Sequence, residues 1–442
     1  MNIKTVLYKI LKYIFGIYAL DHAPDIAHKH GLKQALVFLK KAYPFFTPTL
    51  VKFLQALYQY LLSLETDTLK LSTTKNKKNL IIHFCCWDDA YCDKAINAFF
   101  PSLLANDNIP FSAEKYQVTL LIACDNKSRE ILMNCPAMTN LKQYCNIQTM
   151  IIPEHLLNLY DRCLNQKKSL SIKKIVIVNS GIKYLLLGGL QTHAFKLALQ
   201  KKAIISFLMP DCILSDTFLK AAFDLIQDKC VVLATSFRTF YPDLKKDLAP
   251  YFNDSQYQLS IPALSLAYLK LKHLHPAAKR QIVSEITQGF LPCAQLLFKA
   301  QNGITMRAFH YHPILLDCER INHRVAVDYY PIDNSVLNHI LDENIPYNQQ
   351  ISVCSDSSML EIAELSDDRI SQNYTTSTKQ LSRQELITCI KTMVYSNPAI
   401  YNTPLNQYLV SQRYQLQSDQ IVFDQQDCVD DVHFLKSVFE GN

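Results

Sequence analysis

The sequence predicts an α/β protein built on a mostly parallel β-sheet. Short apolar runs rich in Val, Ile and Leu recur between residues 79 and 236, and segments with helical periodicity separate them. Strands of this composition are typical of sheets whose two faces are both covered by helices. Apolar residues make up 49% and charged residues 19% of the 442 residues, so the chain can bury a large core.

The individual elements alternate along the chain. We predict strands at 79–87, 116–124, 173–179, 203–209 and 230–236, and helices at 90–104, 183–201 and 216–227.

A separate alternating segment, ITMRAFHYH at 304–312, predicts one strand with His310 and His312 on one face and Arg307 on the other. Two histidines on one face are candidate metal ligands. The alternative is that they are ordinary core residues, because the chain contains a second H-x-H at 273–275.

Residues 1–78 form a predicted basic helical extension. They contain twelve lysines and four acidic residues, a net charge of +8, whereas the rest of the chain carries −2. The first 20 residues place an apolar stripe opposite Lys4, Lys9 and Lys12, as in an amphipathic helix. The stripe either packs on the domain behind it, which is the more common use, or contacts an anionic membrane surface peripherally. Further helices are predicted at 31–43 and 47–64, before a polar linker at 72–79.

Cysteine usage and charge narrow the classes of function. Fourteen cysteines without C-x-x-C or regular spacing favour reduced thiols and a reducing, cytoplasmic compartment. Nucleic acid is not an expected partner, because the region after residue 78 is slightly acidic and has no basic stripe with interleaved aromatic residues. Eight glycines in the whole chain, with no G-x-G-x-x-G or G-x-x-x-x-G-K-[ST], exclude a glycine-rich phosphate-binding loop.

Asp211 is the first candidate functional residue. It follows the apolar run 203–209 and Pro210, at the predicted carboxyl end of a buried strand. Ligands of open α/β sheets bind at this edge, near the amino ends of the helices. The alternative is that Asp211 only stabilises a turn after Pro210, and position alone does not separate the two interpretations.

Five collinear segments between about residues 80 and 366 resemble bacterial glycosyltransferase-like proteins of the GT-A, or nucleotide-diphospho-sugar transferase, type. In those proteins a first strand leads to a W-G-E-x-Y-like motif and then to PSLLAPGNLP. The corresponding segments here are HFCCWDDAY (83–91), PSLLANDNIP (101–110), THAFKLALQKKAIISFLMPDCILSD (192–216), RAFHYHPIL (307–315) and VCSDSSMLEIAELS (353–366). The resemblance implies a Rossmann-like nucleotide-sugar-binding domain over residues 79–366, followed by a helical C-terminal region over 367–442.

The resemblance also implies a role for Asp211 and His312. Such transferases place acidic residues, often D-x-D, after a central strand to hold Mn²⁺ or Mg²⁺ against the donor diphosphate, and a later histidine often completes the site. By this analogy Asp211 and His312 are the catalytic pair and the metal ligands. The sequence departs from the pattern, because Met209 and Ile213 flank Asp211 where D-x-D would supply a second carboxylate. Asp216 is the next carboxylate along the chain.

The remaining candidates surround the expected donor and acceptor. Trp87 and Asp88 follow the first strand, and Asp88 stands where the family has glycine. We expect Trp87, Asp88 and Asp216 on the donor side, together with His193, Arg238 and Arg307. Either arginine could supply positive charge to the diphosphate in place of a metal. Asp356 and Glu361, in the last matching segment, are candidate acceptor-side carboxylates. For each of these residues a structural role is the alternative.

The sequence leaves three functions open. The first is a glycosyltransferase that moves a sugar from a nucleoside diphosphate donor to an unidentified acceptor. The second is a non-catalytic binding or scaffold protein with the same fold, which the missing second carboxylate favours. A nucleotidyltransferase ranks last, because the glycine-rich strand-to-helix loop of that class is missing from the sequence. Whether the protein stays in a bacterial cytosol or is exported is left open.

Overall fold

The structure is a computed structural model that describes residues 48–66, 77–165, 172–283, 286–288, 295–309, 311–321, 332, 336–337, 340–367, 380–396, 403–417, 421, 423, 428 and 430–439. The helices predicted within 1–43 and most of the predicted linker lie outside these residues. Within them, no helix has both the length and the apolar character needed to cross a membrane. The thirteen cysteines of the described part are free thiols, most of them buried.

Eighteen strands are found in these ranges: β1 Asn79–Cys85, β2 Gln117–Cys124, β3 Asn146–Ile151, β4 Ile204–Phe207, β5 Cys212–Leu214, β6 Val231–Ala234, β7 Arg238–Phe240, β8 Phe252–Asn253, β9 Gln258–Leu259, β10 Ile282–Val283, β11 Ile286–Gln288, β12 Gln295–Ala300, β13 Gly303–Ala308, β14 His312–Asp317, β15 Ile351–Val353, β16 Ile362–Ser366, β17 Gln380–Ser382 and β18 Tyr414–Gln417. The α-helices there are α1 Pro48–Thr66, α2 Asp89–Lys94, α3 Phe100–Leu103, α4 Ile109–Lys115, α5 Asn126–Met133, α6 Pro136–Leu141, α7 Glu154–Asn165, α8 Ile172–Gln200, α9 Phe218–Ile226, α10 Tyr241–Leu244, α11 Ala263–Lys272, α12 Pro276–Lys279, α13 Tyr347–Gln350, α14 Arg383–Ser396, α15 Pro404–Ser411 and α16 Asp431–Phe439.

The central sheet has seven strands in the order β15-β6-β14-β4-β1-β2-β3. β1 pairs in parallel with β2 and β4, β2 with β3, and β6 with β15. β14 differs, because it runs antiparallel to both β4 and β6. The mixed α/β class with a mostly parallel central sheet, predicted from the sequence, is therefore confirmed.

Helices cover both faces of this sheet because successive side chains of each strand point to opposite sides. Ile81, Leu121 and Ile205 belong to a core with α1, α7 and α8. Leu80 and Leu120 belong to a second core with α3 to α6 and α9. Each such side chain is buried and contributes about 1.5–3 kcal/mol relative to an exposed one. The strands are thus fixed on two sides, and their carboxyl ends form a rigid edge.

Smaller sheets extend the fold toward the C-terminus. β5, β16 and β7 form a three-stranded sheet, and β10, β12, β13 and β18 form a four-stranded one. β18 pairs antiparallel with β13, and β17 pairs antiparallel with β11. The region after residue 367 therefore shares sheets with the preceding region, in addition to the helices predicted for it.

Two predictions of secondary structure are wrong. The segment 173–179, predicted as a strand, lies in the 29-residue helix α8. The strand that pairs in parallel with the outer side of β2 is instead β3. A short apolar run does not distinguish a buried strand from a helix buried among other elements. The alternating segment 304–312 spans two strands of different sheets: β13 ends at Ala308, and β14 begins at His312. His310 lies outside the described residues.

Candidate functional site

Asp211 and His312 lie at the same edge of the central sheet. Asp211 follows β4, whose carboxyl end is at Phe207. His312 opens β14 and pairs with Ala234, the last residue of β6. Because β14 is antiparallel to both neighbours, its first residue lies where β4 and β6 end. This is the edge at which open α/β sheets bind ligands.

Glu364 is an acidic neighbour of Asp211, on strand β16 of the three-stranded sheet. The Leu365 backbone N–H donates to the Asp211 carbonyl at 2.7 Å, and Glu364 pairs with Cys212 across β5 and β16. Burial and the negative charge of Glu364 raise the pKa of the Asp211 carboxyl to about 6, against the opposing effect of Lys94 and Lys183. Asp211 can therefore exchange a proton near neutral pH.

Three cationic side chains accompany these carboxylates. The Arg238 guanidinium donates from Nε to Glu364 Oε1 at 2.9 Å. Lys94 is 6% exposed, and its Nζ lies 3.7 Å from Asp367 Oδ1. The Lys183 Nζ donates to the Tyr91 hydroxyl at 2.7 Å. We call Asp211, Glu364, Arg238, Lys94, Lys183 and Tyr91 the edge cluster.

Tyr91 contacts both lysines. The Lys94 and Lys183 Nζ atoms lie 5.6 Å and 4.7 Å from the centre of its ring. Burial raises the pKa of the Tyr91 phenol, and the charges of Asp211 and Glu364 raise it further. Tyr91 therefore remains a neutral phenol that accepts a hydrogen bond from one ammonium group and offers its ring to both.

The residues that follow β1 have identifiable local contacts. Trp87 is half-buried and packs against the core that contains α8. Asp88 caps helix α2, since its Oδ1 accepts a hydrogen bond from the Ala90 N–H at 2.7 Å. The Asp88 charge also contributes to the raised pKa of Tyr91, so the loop after β1 adjoins the edge cluster.

His193 lies on α8, on the side of the helix that faces β1. It is half-buried, and its charge opposes protonation of the buried His83. Burial lowers the pKa of His83 to about 4, so the neutral His83 ring donates from Nδ1 to the Leu121 carbonyl at 2.9 Å. The structure therefore associates His193 with a core histidine, whereas we expected it beside the donor.

Asp216 and Arg307 are not beside Asp211. Asp216 adjoins Asp107, whose charge, after burial, raises the Asp216 pKa. The Arg307 guanidinium donates from Nε to Asp431 at 2.7 Å and from Nη1 to the Ser411 carbonyl at 2.5 Å. Arg307 lines a cavity of about 570 Å³ between helices of the C-terminal region. We expected both residues on the donor side; the structure places Arg307 with Asp431 and Ser411, and Asp216 near Asp107.

Glu361 and Asp356 also have structural partners. Glu361 is fully buried and accepts hydrogen bonds from Lys270 Nζ at 2.5 Å and from the Tyr414 hydroxyl at 2.6 Å. Asp356 accepts a hydrogen bond from the Ser358 N–H at 2.8 Å and so closes a turn. We expected Glu361 on the acceptor side; the structure places its side chain in the core, with Lys270 and Tyr414 as its partners.

The side chains around Asp211 do not form a set of ligands suited to the divalent cation that the resemblance implies. Among the residues that the structure describes, no group of three or more His, Cys, Asp or Glu side chains is arranged to hold a metal ion. Mg²⁺ and Mn²⁺ prefer several oxygen ligands. Asp211 and Glu364 supply carboxylates, but lysine ammonium and arginine guanidinium groups already adjoin them.

Four residues of the edge cluster were missed at the level of the sequence: Tyr91, Lys94, Lys183 and Glu364. Glu364 belongs to the alternating run IAELS, in which it is flanked by buried residues. Lys94 interrupts an otherwise buried face in the run from Cys92 to Phe99. A charge within an apolar face is a usable signal, although it does not identify the partner.

No protein-family model matches the chain, and no curated protein matches it. Among solved structures, the apo form of mouse xyloside xylosyltransferase 1 is similar over 63% of this chain and 85% of that one, at 13% sequence identity and a TM-score of 0.26. A similarity this weak supports no inference about fold or function, so any functional assignment rests on the edge cluster itself.

Proposed function

We propose that this protein is a glycosyltransferase that binds a nucleoside diphosphate sugar at the edge cluster and transfers the sugar to an acceptor. The observation that supports the proposal is the position of the cluster: a carboxylate with a raised pKa and two lysines lie at the carboxyl edge of a mostly parallel sheet. This edge is the general ligand site of such sheets.

The chemistry of the cluster suits both halves of such a donor. Ammonium groups bind phosphate oxygens through charge-assisted hydrogen bonds, and carboxylates accept hydrogen bonds from sugar hydroxyls. Lys94 and Lys183 provide the first kind of group, and Asp211 with Glu364 the second. Trp87, half-buried after β1, offers an aromatic surface for the base.

Asp211 has the proton affinity of a general base at neutral pH. In the proposed reaction, the acceptor hydroxyl oxygen forms a bond to the anomeric carbon, and the bond from that carbon to the diphosphate oxygen breaks. The hydroxyl proton passes to Asp211, whose pKa of about 6 leaves it mostly ionised at pH 7.5. The diphosphate leaves with its negative charge beside Lys94 and Lys183.

A thermal-shift screen of UDP- and GDP-sugars, each in Mn²⁺ and in EDTA, tests the proposal. A donor present at 100 times its Kd should stabilise the protein by about 2.7 kcal/mol, which appears as a higher Tm. Asp211→Asn should keep this stabilisation but lose transfer or slow donor hydrolysis by about 10²–10⁴-fold. If no nucleotide sugar raises the Tm in either condition, the proposed function is wrong.

A non-catalytic nucleotide-sugar-binding protein is the second candidate. It is favoured because the described residues do not form the metal group that such transferases use. It predicts the same Tm increase without any release of free sugar from the donor during prolonged incubation. Measuring donor hydrolysis by the wild type and by Asp211→Asn therefore separates the two candidates.

A further inference from the structure

We infer that the donor diphosphate is neutralised by the ammonium groups of Lys94 and Lys183, and that no divalent cation is needed for donor binding. The inference rests on the proposed function and specifies how that site holds its ligand. It follows from the contacts of the two lysines and from the surroundings of Asp211.

Lys94 is a nearly buried cation with a weak partner. It is 6% exposed, and its ion-pair partner in the described part of the chain, Asp367, lies 3.7 Å away with a side chain 32% exposed. That separation exceeds a hydrogen bond. A buried ammonium group without a closely placed anion is costly, so a site of this kind gains free energy when an anion binds.

Lys183 is half-buried and also lacks a carboxylate partner among the described residues. Its ammonium group carries three donors, and its hydrogen bond to the described residues goes to the neutral Tyr91 hydroxyl. Both lysines contact the Tyr91 ring, so the two ammonium groups share one aromatic neighbour that does not neutralise them. Two cations beside the same side chain suit the two phosphoryl groups of a diphosphate.

Arg238 has a different role from the lysines. Its Nε–H is committed to Glu364 Oε1 at 2.9 Å. Arg238 thus balances the second carboxylate, so Glu364 does not compete with the ligand for Lys94 or Lys183. Within the edge cluster, the cations without a carboxylate at hydrogen-bond distance among the described residues are the two lysines.

A divalent cation beside Asp211 would also face these lysines. Like charges a few ångströms apart repel strongly at the edge of a protein interior. Lys94 and Lys183 both oppose the rise in the Asp211 pKa, and both contact Tyr91, whose own pKa the Asp211 charge raises. The edge cluster therefore suits an anion beside the lysines better than a metal ion on the carboxylate.

Calorimetric titration of the full chain with UDP and with GDP, in EDTA and in Mn²⁺, tests the inference. For the wild type we expect the Kd in EDTA to agree with that in Mn²⁺ within about threefold. Lys94→Met and Lys183→Met should each weaken binding by about tenfold or more, which corresponds to loss of a charge-assisted hydrogen bond. Lys94→Arg keeps the charge and should retain most of the binding. That result would show that the loss in Lys94→Met is due to the missing charge and not to misfolding.

Two further variants complete the design. Asp211→Asn should bind UDP or GDP at least as tightly as the wild type, because it removes a negative charge beside the lysines; a metal ligand at this position would make the same variant lose binding. Lys127→Gln is the matched control, since Lys127 is an exposed lysine near the same loop, paired with Asp89.

Binding that requires Mn²⁺, is lost in Asp211→Asn and is unchanged in both lysine variants would overturn the inference while leaving the proposed function standing. If neither UDP nor GDP binds in any condition, the proposed function and the inference are both wrong.

Discussion

Glu361 and Glu364 are three residues apart in the chain, yet they have opposite surroundings. Glu361 is sealed in the core, where Lys270, Tyr414 and the Ile362 backbone N–H all donate hydrogen bonds to its carboxylate. Glu364 lies at the sheet edge with its side chain 19% exposed, and among the described residues Arg238 pairs with it there. The same residue type thus forms a closed buried ion pair in one place and part of an open charged cluster in the other.

The two sites differ in how completely their lysine ammonium groups are paired with carboxylates. The buried Lys270 lies 2.5 Å from Glu361, and its Nζ also lies 4.4 Å from the centre of the Phe237 ring. At the edge cluster, the described partners are a carboxylate 3.7 Å from Lys94, beyond hydrogen-bond distance, and a neutral phenol for Lys183. A fully satisfied buried pair stabilises one fold, whereas incompletely satisfied cations at a ligand edge are suited to binding.

Breaking the buried Lys270–Glu361 pair should cause the largest change in the free energy of unfolding. Lys270→Met leaves the Glu361 carboxylate buried without its cation, so we expect the free energy of unfolding to fall by about 3–5 kcal/mol. The measurement is the urea unfolding midpoint at pH 7.5.

A double variant is the control for this experiment. Lys270→Met combined with Glu361→Gln removes both charges, and it should recover a large part of the lost stability because no ion remains uncompensated. A loss below about 1 kcal/mol in the single variant would contradict the closed, satisfied pair seen in the structure.

Much of the central sheet could be predicted from the sequence. β1, β2, β4 and β6 are continuous apolar runs, and burial on both faces is the one environment that suits them. β3, with the sequence NIQTMI, was missed because polar residues alternate along a strand at the edge of the sheet. Segment 173–179 was assigned wrongly because its apolar composition suits a buried helix equally well.

The candidate site was predictable only where strand direction determines position. Asp211 and His312 share an edge because one strand ends and an antiparallel strand begins there. Arg307 and Glu361 were assigned to the donor and acceptor sides, but their partners Asp431 and Lys270 lie 124 and 91 residues away in the chain. Pairing at such separations is determined by the folded topology, which residue spacing does not report.

Removing the Asp211 charge should increase the free energy of unfolding, by less than Lys270→Met decreases it. Burial and Glu364 raise the Asp211 pKa from 3.8 to about 6, so the folded protein holds this proton more tightly than the unfolded chain does. The resulting cost to stability is absent below the unfolded pKa, grows as the pH rises toward 6 and is complete above it. Asp211→Asn should therefore be more stable than the wild type by up to about 3 kcal/mol at pH 8.

Urea unfolding of both proteins at pH 8, 6 and 5 checks this prediction. The stability difference should shrink steadily as the pH falls, because the wild-type carboxyl becomes protonated and then resembles the neutral asparagine amide. Equal stabilities at pH 8 would mean that the Asp211 carboxylate is well solvated, and they would remove the argument that it is a base of neutral pKa.

The smallest effect is expected at the ion pair between Lys127 and Asp89, which lies near the same loop but in solvent. Its Nζ–Oδ2 distance is 2.6 Å, almost as short as the Lys270–Glu361 contact, but the two side chains are 68% and 67% exposed. Water screens both charges, and holding two long side chains in place costs conformational entropy. We expect Lys127→Gln to leave the urea midpoint unchanged within error at both about 20 mM and about 500 mM NaCl. Surface charges are weakly screened at the lower salt concentration and strongly screened at the higher one. A lower urea midpoint for Lys127→Gln at low salt alone would show that this exposed ion pair stabilises the protein despite its solvation. The assignment of the edge cluster would then be weakened, because it depends on the contrast between buried and solvated charges.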